Sequence, residues 1–252
     1  MKALDREALA EFANQEIVRF HAARLARLEK LSLNRVLKKK ESRYLFGAKN
    51  VTTAGELVHA ILNAFLSFCE EKMFGDFLEQ LAIFVSAQTD GGRKSSAAGV
   101  DLEFDRCGTR YLVSMKSVPN WGNSCQYSAL EAHFRNAIAV QRQAHHTLRI
   151  QAVLGICYGK TMTADKGLYV RYTGQSFWHF LSGDPSLYLD VINPIGCRAS
   201  EHNDDFDDRK AALVNRFTAQ FIERFCDSSC AIDWVRLVEF NSGNYDLDKF
   251  LS

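Results

Sequence analysis

Between residues 100 and 117 the hydrophobic period of this chain drops from three or four to two, and that change dictates an α/β fold. Upstream, Leu9, Phe12, Ile17, Phe20, Leu25, Leu28 and Leu31 recur at helical steps, which predicts one long helix over 5–37. Leu57, Val58, Ile61, Leu62 and Phe65 do the same behind Thr53-Ala-Gly-Glu56, a capping box. After a polar loop, Asp90-Gly-Gly-Arg-Lys-Ser-Ser96, the residues Val100, Leu102 and Phe104 alternate with Asp101, Glu103 and Asp105. Arg106-Cys-Gly-Thr109 then supplies a turn, and Tyr111-Leu-Val-Ser-Met-Lys-Ser117 a second strand. Helical spacing resumes at Asn123 or Ser124, with Tyr127, Leu130, Phe134, Ala137, Ile138 and Gln141 on one stripe to about His146. Ile150 to Cys157 is almost continuously apolar, as a central strand should be. A strand over Gly167–Tyr172, a helix from Thr173 through Trp178, a helix over 208–225 and a strand near 232–240 complete the reading. The order implies a mixed central sheet flanked by helices, with a helical N-terminal extension.

Two segments are expected: a helical stretch over 1–50, and a main α/β domain over 51–252 with a C-terminal elaboration. A terminal helix of this length serves either a partner subunit or its own domain. The chain carries a net charge of +1, unevenly spread. Residues 1–50 hold twelve Lys and Arg against six Asp and Glu, whereas residues 201–252 hold six against eleven. The basic end suits a polyanion, although net charge alone does not specify DNA. The apolar stretch Leu57–Cys69 is broken by His59 and Asn63, so no membrane span is expected, and the N-terminal residues lack a signal-peptide core. A cytoplasmic location follows as the expectation. Seven cysteines are scattered; Cys226 and Cys230, with Cys197 and His202, have irregular spacing for zinc and read as buried thiols.

A turn centred between Cys107 and Gly108 places Asp101 opposite Ser114, with Lys116 as its diagonal neighbour. Residues two apart on a strand share a face, and cross-strand partners sit about 5 Å apart, so the three converge. A carboxylate and an ammonium in that position suit metal-assisted phosphodiester hydrolysis. Asp101 and the Met115 carbonyl would offer oxygen ligands to Mg²⁺, and Lys116 would hold the attacking water. On spacing alone, a plain surface ion pair is the competing reading.

The segments Gly99-Val-Asp-Leu-Glu-Phe104, Tyr111–Ser117 and Pro119-Asn-Trp-Gly-Asn-Ser124 resemble the core of the PD-(D/E)XK nucleases. Within that superfamily they are most similar to type II restriction endonucleases of the PmeII-like group. Tyr44-Leu-Phe-Gly-Ala-Lys-Asn50 adds to the likeness, which covers roughly residues 40–160. The resemblance implies a restriction-endonuclease-like fold, cleavage of double-stranded DNA with Mg²⁺, and a homodimer on a palindromic site. Two positions depart from the pattern. Val100 stands where proline is common, and Ser114 stands where the second metal-binding carboxylate usually lies.

Three glutamates are candidates to replace that carboxylate. Glu131 ranks first, because some related enzymes with a Ser-x-Lys strand draw the ligand from the following helix. It lies about 70° from the centre of the apolar stripe, near enough to reach the sheet edge. Glu56 ranks second, on the preceding helix, and Glu103 third, roughly 7 Å along the strand from Asp101. Gln126 resembles a glutamine that assists the site in some relatives. Arg93, Lys94, Asn120, Trp121, Asn123 and the run Lys38, Lys39, Lys40 are candidates for DNA contact, with Trp121 equally suited to a packing lid. A structure-specific nuclease of the same fold and a catalytically inactive DNA-binding dimer are the alternatives.

Overall fold

The hairpin forms as its residues dictate. In the computed structural model, which describes residues 1–38, 46, 48–191 and 199–242, β2 (Leu102–Arg106) pairs antiparallel with β3 (Thr109–Lys116). Leu102 faces Val113 and Arg106 faces Thr109, the register read from the sequence. Cys107 and Gly108 take positive φ, 50° and 74°, as a two-residue hairpin turn requires to match the strands' twist. On one edge lies β1 (Arg93–Lys94), antiparallel to β2. Beyond β3 come β4 (Arg149–Ile156) and β6 (Tyr169–Thr173), both parallel, and then β5 (Ala164–Asp165), antiparallel to β6. The six-stranded mixed sheet has the order β1-β2-β3-β4-β6-β5.

Helices cover both faces, which is why β4 is a nearly continuous apolar run: Ala152, Val153, Leu154 and Ile156 are all buried. On one face α3 (Ala54–Asp90) sets Phe77, Leu78, Leu81, Ala82 and Val85 against Leu102, Phe104, Val113, Met115 and Val153. On the other, α4 (Ser124–Ala144) sets Leu130, Phe134 and Ala137 against Leu112, Ala152, Leu154 and Ile156. Burying Phe134 contributes about 1.5–3 kcal/mol. Leu9 and Ala13 of α1 (Arg6–Glu29) and Phe177 of α5 (Gln175–Ser182) join the α3 layer. The apolar stripe at the start of α1 is therefore occupied within its own chain rather than reserved for a partner.

The chain divides into two units, Met1–Phe20 with Met73–Ala199 and His21–Lys72 with Ser200–Ser252, so α1 and α3 each contribute to both. That division does not follow a boundary near residue 50. The first unit also holds α6 (Leu187–Asp190); in the second, the other described elements are α2 (Leu33–Leu37), α7 (Ala199–Phe225) and α8 (Trp234–Asn241).

Four local expectations are corrected. The 5–37 helix ends at Glu29, because the Ser32 hydroxyl accepts the Arg35 N–H at 3.4 Å and starts α2. The 90–96 loop contains an edge strand, β1, after Gly91 and its positive φ of 68° end α3. The strand near 232–240 is the helix α8, capped by Asp233, which accepts the Arg236 N–H at 3.0 Å. On a strand Val235 and Leu237 would share a face, yet they are 70% and 0% exposed. The cysteines are not uniformly buried: Cys107, Cys125 and Cys230 are exposed, and Cys69, Cys157 and Cys226 are buried. Cys197, Lys39, Lys40 and residues 41–45 and 47 lie outside the described residues, as does the His202 side chain.

Candidate active site

Asp101 sits one residue before the first ladder pair of β2, where the two strands separate. Its N–H donates to the Val113 carbonyl at 2.8 Å, one residue out of step with the Leu102–Val113 pair, so the ladder stops short of an Asp101–Ser114 pair. The Asp101 carboxylate then takes over the acceptor role: Oδ2 receives the Met115 N–H at 2.6 Å and lies 3.5 Å from the Ser114 hydroxyl. The side chain thus lies along the seam between β2 and β3, with both bonds on Oδ2, which makes Oδ1 the oxygen available to a cation.

Lys116 ends β3 on the same face as Ser114. Its carbonyl accepts the Cys157 N–H at 2.9 Å, and its ammonium stands 5.2 Å from the centre of the Trp121 ring. Trp121 leans in turn on Tyr127 at 4.7 Å. The buried Cys157 thiol is pushed up to about 12, first by burial and then by the charges of Asp101 and Glu79, with Lys116 opposing. It stays protonated and offers no soft ligand. The donors at the seam are oxygens, which fits a hard cation such as Mg²⁺. Among the described residues no three His, Cys, Asp or Glu side chains form a metal cluster, so such an ion would be held by few protein anions.

A family model described as "Type II restriction endonuclease EcoO109I" matches residues 7–203. The chain belongs to that family. It is accordingly a type II restriction endonuclease by family, of the PD-(D/E)XK kind that the sequence resembles, a hydrolase that acts on DNA. No curated protein matches the sequence significantly. Among the described residues no helix is long and apolar enough to cross a membrane.

For an EcoO109I-family chain the Ser114 position raises the question of the second carboxylate. Glu131 pairs with Arg135 one turn along α4, at 2.9 Å. Glu103 is buried and bonded to Arg93 at 2.7 Å and to the Ser95 hydroxyl at 3.1 Å. Glu56 gives its N–H to Thr53 Oγ1 at 3.2 Å at the start of α3, in the other unit. Among the described residues, the bonds of the Asp101 carboxylate go to Met115 and Ser114 and to none of these three. Gln126 is engaged in the cap of α4: its side chain accepts the Asn123 N–H at 2.9 Å, and Asn123 accepts the Gln126 N–H at 3.1 Å. Asn120 and Asn123 are exposed in the loop after β3, and Lys38 is exposed at the end of α2.

Reading along the sequence missed Glu79, which lies within the apolar run of α3 and bonds Lys94 at 3.1 Å. Its signal there is a carboxylate between Leu78 and Leu81, in the part of α3 that packs on the sheet.

Proposed function

We propose that this EcoO109I-family protein is a site-specific endonuclease that hydrolyses double-stranded DNA in the presence of Mg²⁺, acting as a homodimer on a palindromic site. The Asp101 carboxylate, bonded to the strand that ends in Lys116, is the observation that carries this reading. Asp101 Oδ1 and the Met115 carbonyl would hold the ion. A bound Mg²⁺ would supply positive charge to the scissile phosphate and to the attacking water. Lys116, kept in place by the Trp121 ring, would hold that water against the phosphorus. The water oxygen bonds to phosphorus as the P–O3′ bond breaks. The water's proton passes to solvent, and O3′ takes one up, leaving a 5′-phosphate and a 3′-hydroxyl.

Phosphate and base contacts are assigned to Arg93, Lys94, Asn120, Trp121, Asn123 and the run Lys38–Lys40. Arg93 and Lys94 already hold Glu103 and Glu79, so their use on DNA requires exchange of partners. Such contacts make affinity fall steeply with salt. The test is digestion of plasmid and phage DNA with and without Mg²⁺, followed by mapping of the ends. Discrete Mg²⁺-dependent fragments with one shared terminal sequence are expected. Cleavage confined to branched DNA would favour a structure-specific nuclease. Binding without cleavage would favour an inactive dimer, the reading that Ser114 supports.

A further inference from the structure

We propose that Glu79, carried by α3, is the second carboxylate of the site and replaces the strand position that Ser114 occupies. The inference rests on the reading of Asp101 as a metal ligand. Ser114 is 1% exposed, and its hydroxyl is 3.5 Å from Asp101 Oδ2, so that position supports the aspartate without adding charge.

Helix α3 passes over the end of β3 that carries Lys116. A Cβ at Gly75 would stand 3.4 Å from the Ser117 hydroxyl, so the helix backbone lies against the residue that follows Lys116. Glu79 lies one turn further on, on the same side, about 6 Å along the axis. Its side chain is 24% exposed and reaches Lys94 at 3.1 Å. Lys94 pairs across the sheet with Leu102, the neighbour of Asp101, and the Ser95 N–H donates to the Asp101 carbonyl at 3.2 Å. Glu79 and Asp101 therefore flank the same short piece of strand pairing. Because Asp101 bonds a main-chain N–H of β3, its carboxylate lies near the plane of the sheet, within approach of a group from the α3 face.

The existing partners also separate Glu79 from its rivals. Glu103 is buried beneath an arginine and a hydroxyl, and Glu131 is paired along its own helix. Glu79 holds a single lysine that is itself 67% exposed. A pair whose lysine lies in solvent contributes little, so a divalent cation displaces Lys94 at small cost. The released ammonium then becomes available to a phosphate. Lys94 is thus the occupant that the metal replaces.

Binding of Mn²⁺, followed by electron paramagnetic resonance of the unbound ion without DNA, reads this independently of cleavage. Glu79→Gln and Asp101→Asn should each weaken binding at least tenfold. Glu131→Gln should bind as the parent does. So should Asp76→Asn, which alters an exposed carboxylate of α3 three residues before Glu79. Lys94→Met should bind severalfold more tightly. Circular dichroism checks that each variant is folded. Parental affinity in Glu79→Gln, with loss in Asp101→Asn, would overturn the role of Glu79 and leave Asp101 standing. Loss in Glu131→Gln instead would move the ligand to α4. Parental affinity in Asp101→Asn would overturn the assignment of the site itself, and Glu79 with it.

Discussion

In the sheet-bearing unit the layers meet through apolar side chains, and its most buried ion pair is locked from several sides. Asp90, with a side chain 3% exposed, takes two bonds from Arg106 at 3.1 and 2.6 Å. The same guanidinium bonds the Phe180 carbonyl at 2.8 Å and lies over the rings of Phe104 and Phe180. The helical unit has its own apolar core, with Leu57, Leu62, Phe217 and Phe221 buried, and its arginine pairs range from half-buried to exposed. Arg24 lies 3.9 Å from the centre of the Phe206 ring and bonds Glu70 at 2.7 Å, while Arg209 bridges Asp205 and Glu29 with all three side chains exposed. The contrast is between the enclosed Asp90–Arg106 pair and the exposed Arg209 pairs, whose charges solvent can compete for.

The comparison is broken most directly at the seam. Asp101→Ala or Lys116→Ala should lower cleavage by orders of magnitude while DNA binding in Ca²⁺ persists. Near-parental activity in either would remove the chemistry from the sheet-bearing unit. Next in size, Arg106→Ala leaves Asp90 buried without its guanidinium and should cost about 3–5 kcal/mol in urea unfolding. Arg209→Ala, on the exposed helices, should cost less than about 1 kcal/mol. Equal costs would erase the distinction between the two units.

Packing within the sheet layer gives an intermediate effect. A Cβ at Gly155 would stand 2.1 Å from the Phe177 ring, so Gly155→Ala should destabilise by about 1–3 kcal/mol. Adding Phe177→Leu should recover part of that loss; if it does not, the ring is not the obstacle. Asn123→Ala removes half of the capping box of α4 and should cost about 1 kcal/mol, read from the thermal midpoint.

The smallest effect is that of acid. The Arg110 guanidinium bonded to Asp105 holds that carboxyl below its ordinary value, and the Ser186 N–H and hydroxyl do the same for Asp184. Both groups lie in the sheet-bearing unit. A lowered folded-state value means that each contribution is present above the unfolded value near 4, and is lost as pH falls through the folded one. The thermal midpoint should therefore hold steady from pH 7 to about 5 and decline below about 4. In Arg110→Met the decline should be shallower, and an unchanged slope would exclude the Asp105 pair as a contributor.

Some of this architecture was readable without coordinates. The hairpin register follows from alternation on both strands and from Gly108, which adopts positive φ freely, whereas the positive φ of Cys107 is imposed by the hairpin. The α4 cap was legible because Asn123 and Gln126 lie three residues apart at the start of a helical stripe. By contrast, β1 is only two residues long, too short to show a period, and its pairing depends on β2 being beside it. In α8 apolar residues at 234, 235, 237, 238 and 240 satisfy either period, and the Asp233 cap decides for the helix.

What the sequence by itself determined is the hairpin and its register from Leu102–Val113 to Arg106–Thr109. Asp101, Ser114 and Lys116 are joined through one turn, and period two leaves a single pairing that buries Leu102, Val113 and Met115 together. Only the tertiary structure decided which more distant groups come near them. The rotation of α3 on the sheet, set by Phe77, Leu78, Leu81 and Ala82 against the strands, brings Gly75 to Ser117 and Glu79 to Lys94. Packing across layers carries no signature at fixed spacing in the chain, because it depends on the shapes of surfaces that exist only once both layers have formed.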